Sequence, residues 1–335
     1  MPEAAPLVPS PAMKPEISVV VPSHRRPIRL LWLLNALEEQ TLPRDRWEAI
    51  VVHDAGDEEI TALLRGHPLA AAGVLRPIGL ERPEASLKRN AGWRAARAPV
   101  VAFTDDDCRP PADWVENALA AARAHPGAVI QGQTMPDPDE ADVEQAAPHV
   151  TSQWIVPPHP SGQTCNIVYP REVLERVGGF DEERPMAVGE DTDLLMRARK
   201  AGAPYVGVPE VLTYHAVEAR TLPSRLRFAA RWGGLAELMR RHPELRSEVP
   251  LRIFWKPTHP RLLLGAAGVG LAIARRRPGW ALLALPWVRA TWPWHGRHPR
   301  GVARSLSELP ARLAIDATEV LALAAGSVRH RSLFL

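Results

Sequence analysis

The sequence predicts an α/β protein: a mostly parallel sheet with helices on both faces, followed by a helical, basic region. Three observations predict it. Apolar, β-branched runs of strand length alternate with segments whose leucines recur at helical spacing. The strands end in polar or acidic tips. Charge also divides along the chain: from Ala216 onward there are 20 Lys and Arg against 7 Asp and Glu, and the residues before hold 21 against 31.

The elements follow in order. Residues 1–16, "MPEAAPLVPSPAMKPE", lack the apolar centre of a signal peptide and read as a Pro-rich disordered leader. "ISVVVP" (17–22) is a buried-type strand with "SHRRP" as its polar tip. Pro27 marks a helix start, and Leu30, Leu31, Leu34 and Leu37 give that helix its apolar spacing. "AIVVHDAGD" (49–57) is a second strand, closing on Asp54 and a small-residue turn. "EEITALLRGH" is a helix, "GVLRPI" a short strand and "EASLKRNAGWRAARA" another helix. "VVAFT" (100–104) is the fourth strand, and it runs straight into Asp105, Asp106 and Asp107. "AVIQGQ" is a strand. Residues 135–162, polar and Pro-rich, read as a mobile loop over the site. "REVLERVGGF" is a helix closed by Gly178, residues 190–202 form another, and "PYVGVPEVLTYH" is a strand ending at His215.

In open α/β sheets ligands bind beyond the carboxyl ends of the strands. Three polar tips, residues 23–26, 53–57 and 105–107, should therefore share one edge and form the site. Side chains two apart on an extended strand face the same way. Asp105 and Asp107 would then address one ligand, with Asp106 turned aside. Nothing within the stretch compensates three adjacent carboxylates. One reading is an acidic, solvated turn. The other is a D-x-D holding a hard divalent cation, Mn²⁺ or Mg²⁺, that bridges to a diphosphate. The apolar strand before it and the polar tips beside it favour the second.

"ISVVVPSHRRP", "VVHDAGD", "LKRNAGWRAA", "VVAFTDDDCRPPADW", "CNIVYPREVLERVGGFDEE" and "GEDTDLLMRARKAG" occur in this order. In that order they resemble the motifs of inverting family 2 glycosyltransferases of the GT-A fold, over residues 17–215. The resemblance implies roles. Pro22, Ser23 and Arg26 would line the donor site. Asp54 would receive the nucleotide base, Arg89 and Asp106 would belong to the donor site, and Asp105 would lie near the ribose. Asp107 would bind the metal, and His215 would be a further metal ligand or a bystander. Asp191 would be the catalytic base, or else a charge that merely stabilises a helix N-terminus. Glu190 beside it would orient the site or bind the acceptor. Two departures stand out. "HDAGD" replaces the family's commoner acidic pair, which touches base recognition. "FAARW" (228–232) keeps Arg231 and Trp232 of the Q-x-x-R-W motif without its glutamine, which speaks against a processive synthase.

The bulk numbers bound the rest. With 335 residues and 46% hydrophobic content the chain folds as one large domain or two ordinary ones. Two cysteines, Cys108 and Cys165, exclude a disulfide scaffold and suit a reducing cytoplasm. The expected organisation is a leader (1–16), a GT-A nucleotide-sugar domain (17–215) and a basic helical region (216–335). In the last, residues 262–274 are uncharged, "RRRPG" follows, then "WALLALPWV". Each run falls short of the roughly 20 apolar residues of a bilayer span. Together they read as a helical hairpin with an arginine turn, ringed by Trp280, Trp287, Trp292 and Trp294, either on an anionic membrane surface or as a buried helix pair. Nucleic acid is not an expected partner, since no aromatic–basic RNA motif occurs.

The expected activity is metal-dependent, inverting transfer of a sugar from a nucleotide-diphosphate sugar to a carbohydrate or lipid-linked acceptor hydroxyl. It would serve cell-surface polysaccharide or glycolipid synthesis at the inner face of the cell membrane. The alternatives are a sugar-phosphate nucleotidyltransferase, which usually carries a Gly-rich loop that "VVPSHRRP" lacks, and a non-catalytic nucleotide-binding scaffold.

Overall fold

In the computed structural model, which describes residues 15–82, 84–186 and 188–335, the chain divides into two compact units. One takes in the described residues up to Glu140, with Ser152–Pro185 and Leu194–Ala216; the other takes Ala141–Thr151, the described residues of 186–193, and Val217–Leu335. Most of the expected leader, residues 1–14, lies outside the described residues. Its last residue is held: Glu16 N donates to Arg46 O at 2.7 Å, and Arg46 Nε donates to the Glu16 carboxylate at 2.6 Å.

The first unit is built on β1 (Ile17–Pro22), α1 (Pro27–Glu38), β2 (Trp47–Asp54), α2 (Glu58–Gly66), α3 (Pro68–Ala71) and β3 (Leu75–Leu80). Then come α4 (Ala85–Ala95), β4 (Val100–Thr104), β5 (Cys108–Arg109), α5 (Trp114–Ala124) and β6 (Val129–Pro136). The short α6 (Ala141–Ala146) belongs to the second unit. After it follow β7 (Asn166–Pro170), α7 (Arg171–Val177), α8 (Glu190–Lys200, in the first unit from Leu194 on) and β8 (Tyr205–His215). The eight strands form one sheet in the order β3-β2-β1-β4-β7-β6-β8-β5. The pairs β3–β2, β2–β1, β1–β4 and β6–β8 are parallel; β7 is inserted antiparallel between β4 and β6, and β5 pairs antiparallel with β8 at the edge.

The strand residues explain why helices lie on both faces. Along β1, Ile17, Val19 and Val21 pack in one apolar cluster with Leu30, Leu33, Leu34 and Leu37 of α1, Ile60 and Leu64 of α2, and Trp114 and Leu119 of α5. Val20 faces the other way, into a cluster with Trp93 of α4, Val173 and Leu174 of α7, and Leu194, Leu195 and Ala198 of α8. A strand buried on both sides reads as an unbroken apolar run, not an alternating one. In α1 the core face takes Leu33 in place of Leu31, which is more than a third exposed. Gly178 caps α7 with a left-handed φ of 75°. At Gly179 (φ 70°) a Cβ would lie 2.4 Å from Asn90 Oδ1. Only glycine lets this turn approach the α4 side chains, where Asn90 accepts from Trp93 Nε1 and Phe180 N.

Residues 135–162, read from their composition as a loop over the site, carry local structure. They continue β6 to Pro136, turn through a 3₁₀ segment (Pro138–Glu140) and form α6. Thr134 and Ile155 exchange backbone hydrogen bonds of 2.8 and 3.2 Å, and Ile155 is wholly buried. Arg109 grips the Asp137 carboxylate through both nitrogens, at 2.6 and 2.8 Å. Such two-pronged charged bonds are among the strongest available to a surface segment.

In the second unit, α9 (Leu222–Ala230) and α10 (Leu235–Arg241) pack against a 32-residue helix, α13 (Pro299–His330). Between them in sequence lie α11 (Thr258–Arg275), a 3₁₀ segment (Pro278–Ala284) and α12 (Leu285–Thr291). The expected hairpin is present: a Cβ on Gly268 of α11 would lie 2.6 Å from Leu283 Cβ and Trp280 O of the returning arm. No helix among the described residues is long and apolar enough to cross a membrane.

Candidate active site

The parallel register of β2, β1 and β4 sets their carboxyl ends side by side. There the three polar tips meet. After β1, Ser23 N still donates to Val52 O at 2.8 Å. Arg25 then turns left-handed, with φ 52°. For a residue with a Cβ that conformation costs about 1 kcal/mol. The turn aims consecutive groups at the other tips. His24 N donates to Asp106 Oδ2 at 3.1 Å, and His24 Nδ1 donates to Asp54 Oδ2 at 2.5 Å. Arg26 pairs with Asp107 and lies 3.5 Å from Asp106.

Asp54 ends β2 beside a cleft of about 1040 Å³ that is lined also by His24, Arg25, Gly56, Asp57 and Glu58. Its second oxygen takes the Lys88 ammonium at 2.5 Å, and Lys88 also donates to Ser23 O at 2.6 Å. Burial pushes the Asp54 carboxyl up, but the bonds from Lys88 and His24 outweigh it and hold the group below the usual range. Lys88 is almost wholly buried. Sequence reasoning passed it over for its neighbour Arg89; an ammonium sequestered on the first turns of α4 leaves no periodic signal. Arg89 itself binds Asp105 at 2.6 Å and lies over the Phe180 ring.

The aspartate triplet departs from expectation. It is a turn, not extended strand, since Cys108 N donates to Asp105 O at 3.1 Å. The two-residue alternation of strands therefore does not govern it. Asp105 goes to Arg89, while Asp107 goes to Arg26 and His215. Asp106 is turned into the protein. Burial, and then the charge of Asp107, push its carboxyl up to about 7 against the pull of Arg26. Two arginines from other elements thus offset part of the negative charge that the stretch itself leaves uncompensated.

β5 and β8 explain how His215, over a hundred residues away in sequence, reaches the triplet. They pair antiparallel with Cys108 opposite His215, and Ala216 N donates to Asp107 O at 2.9 Å. His215 Nδ1 lies 2.9 Å from Ala216 O. A carbonyl can only accept, so Nδ1 carries the proton and a neutral ring leaves Nε2 with its lone pair. That nitrogen faces Asp107 Oδ1 at 3.4 Å, and this buried oxygen has no hydrogen-bond partner. Two lone-pair atoms facing each other need a positive centre between them: a proton on the ring or a metal ion. The donor set, one carboxylate oxygen and one imidazole nitrogen, is one that would hold a divalent cation such as Mn²⁺ or Mg²⁺.

Of the expected residues, Ser23, Arg26, Asp54, Arg89, Asp105, Asp106, Asp107 and His215 come together at this edge, and Pro22 ends β1 next to them. Glu190 and Asp191 open α8 and fall in the second unit. There the next acidic residue, Asp193, meets the buried His242 Nε2 at 2.9 Å. Acidic residues at the start of α8 and Arg197, Arg199 and Lys200 at its end both match the helix dipole. Arg231 lies over the Phe228 ring in the second unit.

Comparison with known proteins bears on this geometry. A family described as "Glycosyl transferase family 2" matches residues 18–179, and "Glycosyl transferase family group 2" matches residues 100–295, more than half of the chain. The chain is 23% identical over 205 residues to Glycosyltransferase AglE of Haloferax volcanii, covering 60% of this chain and 67% of that protein. It is 24% identical over 299 residues to Validoxylamine A glucosyltransferase of Streptomyces hygroscopicus subsp. limoneus, covering 77% and 62%. It thus spans about two thirds of the length of these curated relatives. A similar solved structure is the mannosyltransferase PcManGT of Pyrobaculum calidifontis, in complex with GDP-Man and Mn²⁺ (TM-score 0.54, 19% identity, 97% of this chain and 89% of that one). Another is S. aureus TarS (TM-score 0.50, 16% identity, 92% and 55%). At such identities the structures show a shared fold.

Proposed function

Because this chain belongs to glycosyl transferase family 2, has the GT-A fold and is therefore a glycosyltransferase, we propose that it moves a sugar from a nucleotide-diphosphate donor to an acceptor hydroxyl with inversion, in cell-surface polysaccharide or glycolipid synthesis. The observation that carries this reading is the buried, unpartnered Asp107 oxygen facing His215 Nε2, joined through the residues 24–26 turn to the Asp54 cleft.

Each group has a task in it. The carboxylates of the cleft, Asp54, Asp57 and Glu58, accept from the N–H and O–H groups of a base and ribose and repel phosphate. That polarity sets the donor's direction: base toward Asp54, diphosphate toward Arg26 and Asp107. Lys88 and His24 hold Asp54 ionised and fixed. Arg89 positions Asp105 for the ribose side. Asp107 and His215 would hold the divalent cation, which supplies charge stabilisation to the departing diphosphate. No separate general acid is then required. Asp191 takes the proton from the acceptor hydroxyl, kept ionised by the α8 N-terminus. Glu190 orients that hydroxyl.

A thermal-shift panel of nucleoside diphosphates and their sugars, with and without Mn²⁺ or Mg²⁺, tests the donor half. Stabilisation should appear with nucleotide and metal together; a panel in which metal adds nothing for any nucleotide would overturn it. Asp191→Asn tests the acceptor half. Transfer should fall by ~10²–10⁴-fold while donor affinity stays within a factor of about two.

A further inference from the structure

The hairpin of the second unit is exposed in a way that a packed helix pair is not. Residues 262–274 and 278–288 contain no charged side chain. On its two arms Leu264 is 44% exposed, Ile273 74%, Trp280 44%, Leu282 64% and Leu285 57%. Large apolar side chains left in water in such number mark an interaction surface. At the tip stand Arg275, Arg276 and Arg277, all exposed. Residues 251–300 as a whole carry nine Lys and Arg, no Asp or Glu, and five of the eleven tryptophans.

From this juxtaposition we propose that the α11–α12 hairpin docks the protein on an anionic lipid bilayer, lying in the interface with its apolar arms among the acyl chains and its arginines on the lipid phosphates. Length excludes a span. The 18 residues of α11 reach about 27 Å, short of the ~30 Å hydrocarbon core, and the arginine tip cannot rest in hydrocarbon without heavy cost. Apolar arms beside a cationic, tryptophan-rich rim are the composition of a helix that lies on a membrane. A second copy of this chain is the wrong partner, because it would bring nine more cations of residues 251–300 and no anion to the same face. Nucleic acid matches the arginines but leaves the arms in water. The inference is independent of the transfer chemistry, since vesicle binding is read without turnover.

The test is flotation of the full chain with phosphatidylcholine vesicles and with vesicles in which part of that lipid is replaced by phosphatidylglycerol. The chain should float with the anionic vesicles and only weakly with the neutral ones. Replacing Arg275, Arg276 and Arg277 by Gln should weaken anionic binding by roughly fivefold per arginine removed. Leu264→Glu, Ile273→Glu and Leu282→Glu together should abolish binding to both, with an unchanged circular dichroism spectrum because all three sites are exposed. Three results overturn the proposal: a wild-type chain that stays unbound, a triple-Glu variant that binds like wild type, or concentration-dependent dimerisation in sedimentation velocity that the triple-Glu variant loses.

Discussion

Asp107 shows how one atom decides between two chemistries. Its Oδ2 is paired with Arg26, so the residue is in part a structural ion-pair partner; its Oδ1 is buried, without a hydrogen-bond partner, and faces His215 Nε2 at 3.4 Å. Asp107→Asn should abolish the metal-dependent part of the thermal shift and lower transfer ~10²-fold, as read by calorimetry with nucleotide alone and with nucleotide plus Mn²⁺. Binding of nucleotide alone should persist, because Asp54 and the cleft are untouched. Glu48 is a control of the opposite kind, a buried charge with no part in the site. It accepts four hydrogen bonds, from Ser18 Oγ, Arg97 N, Arg97 Nε and Arg76, at 2.7–2.8 Å. Burial pushes its carboxyl up, and these bonds outweigh that and lower it. A carboxyl lowered in the folded state contributes stability above its unfolded value, and that contribution is lost as pH falls through the folded value. Glu48→Gln should therefore destabilise at neutral pH and flatten the acid limb of a denaturation curve below about pH 4.5.

At the scale of elements, the two-residue β5 has the largest effect for its size. Its antiparallel pairing with β8 delivers His215 to Asp107, and its Arg109 clamps Asp137. Arg109→Ala should release the turn after β6. The amides of Asp139 and Glu140, which donate to Asp137 at 3.0 Å, should exchange about tenfold faster, as a half-exposed two-pronged pair is worth ~1–2 kcal/mol. Hydrogen exchange of β1 and β2 should not change. This clamp also fastens a Pro-rich, acidic segment: its carboxylates are addressed by arginines from other elements, Arg109 and, at Glu140, Arg29.

At the scale of the whole molecule, the chain carries two cores with different fastenings. The first is a sheet buried on both faces. The second is helical and is pinned by a buried charge network. Glu319, wholly buried, receives Lys256 at 2.7 and 2.8 Å and His259 at 3.2 Å, with Arg225 at 3.6 Å. Nearby Asp316 accepts from Trp287 at 2.9 Å. His259, Asp316 and Glu319 have the mutual spacing of a metal site, but the Lys256 ammonium already supplies the positive charge there. Glu319→Gln should cost ~3 kcal/mol in that core. Exchange protection should drop in α11 and α13 and not in β1, β2 and β4.

The sequence by itself determined the sheet, the helices on both its faces and the edge where the site lies, because runs such as Ile17–Pro22 and the leucines of α1 encode burial in their own periodicity. It also marked residues 23–26, Asp54 and the triplet as a group, since strand tips in a parallel sheet must share an edge. Tertiary structure alone decided which aspartate meets which partner. A turn replaces the extended backbone after Thr104, so spacing no longer sets direction. Lys88 and the partners of His24 and Arg109 were illegible for a related reason: an ion pair is defined by two residues far apart in sequence, and neither half carries a mark of the other until the fold brings them within reach.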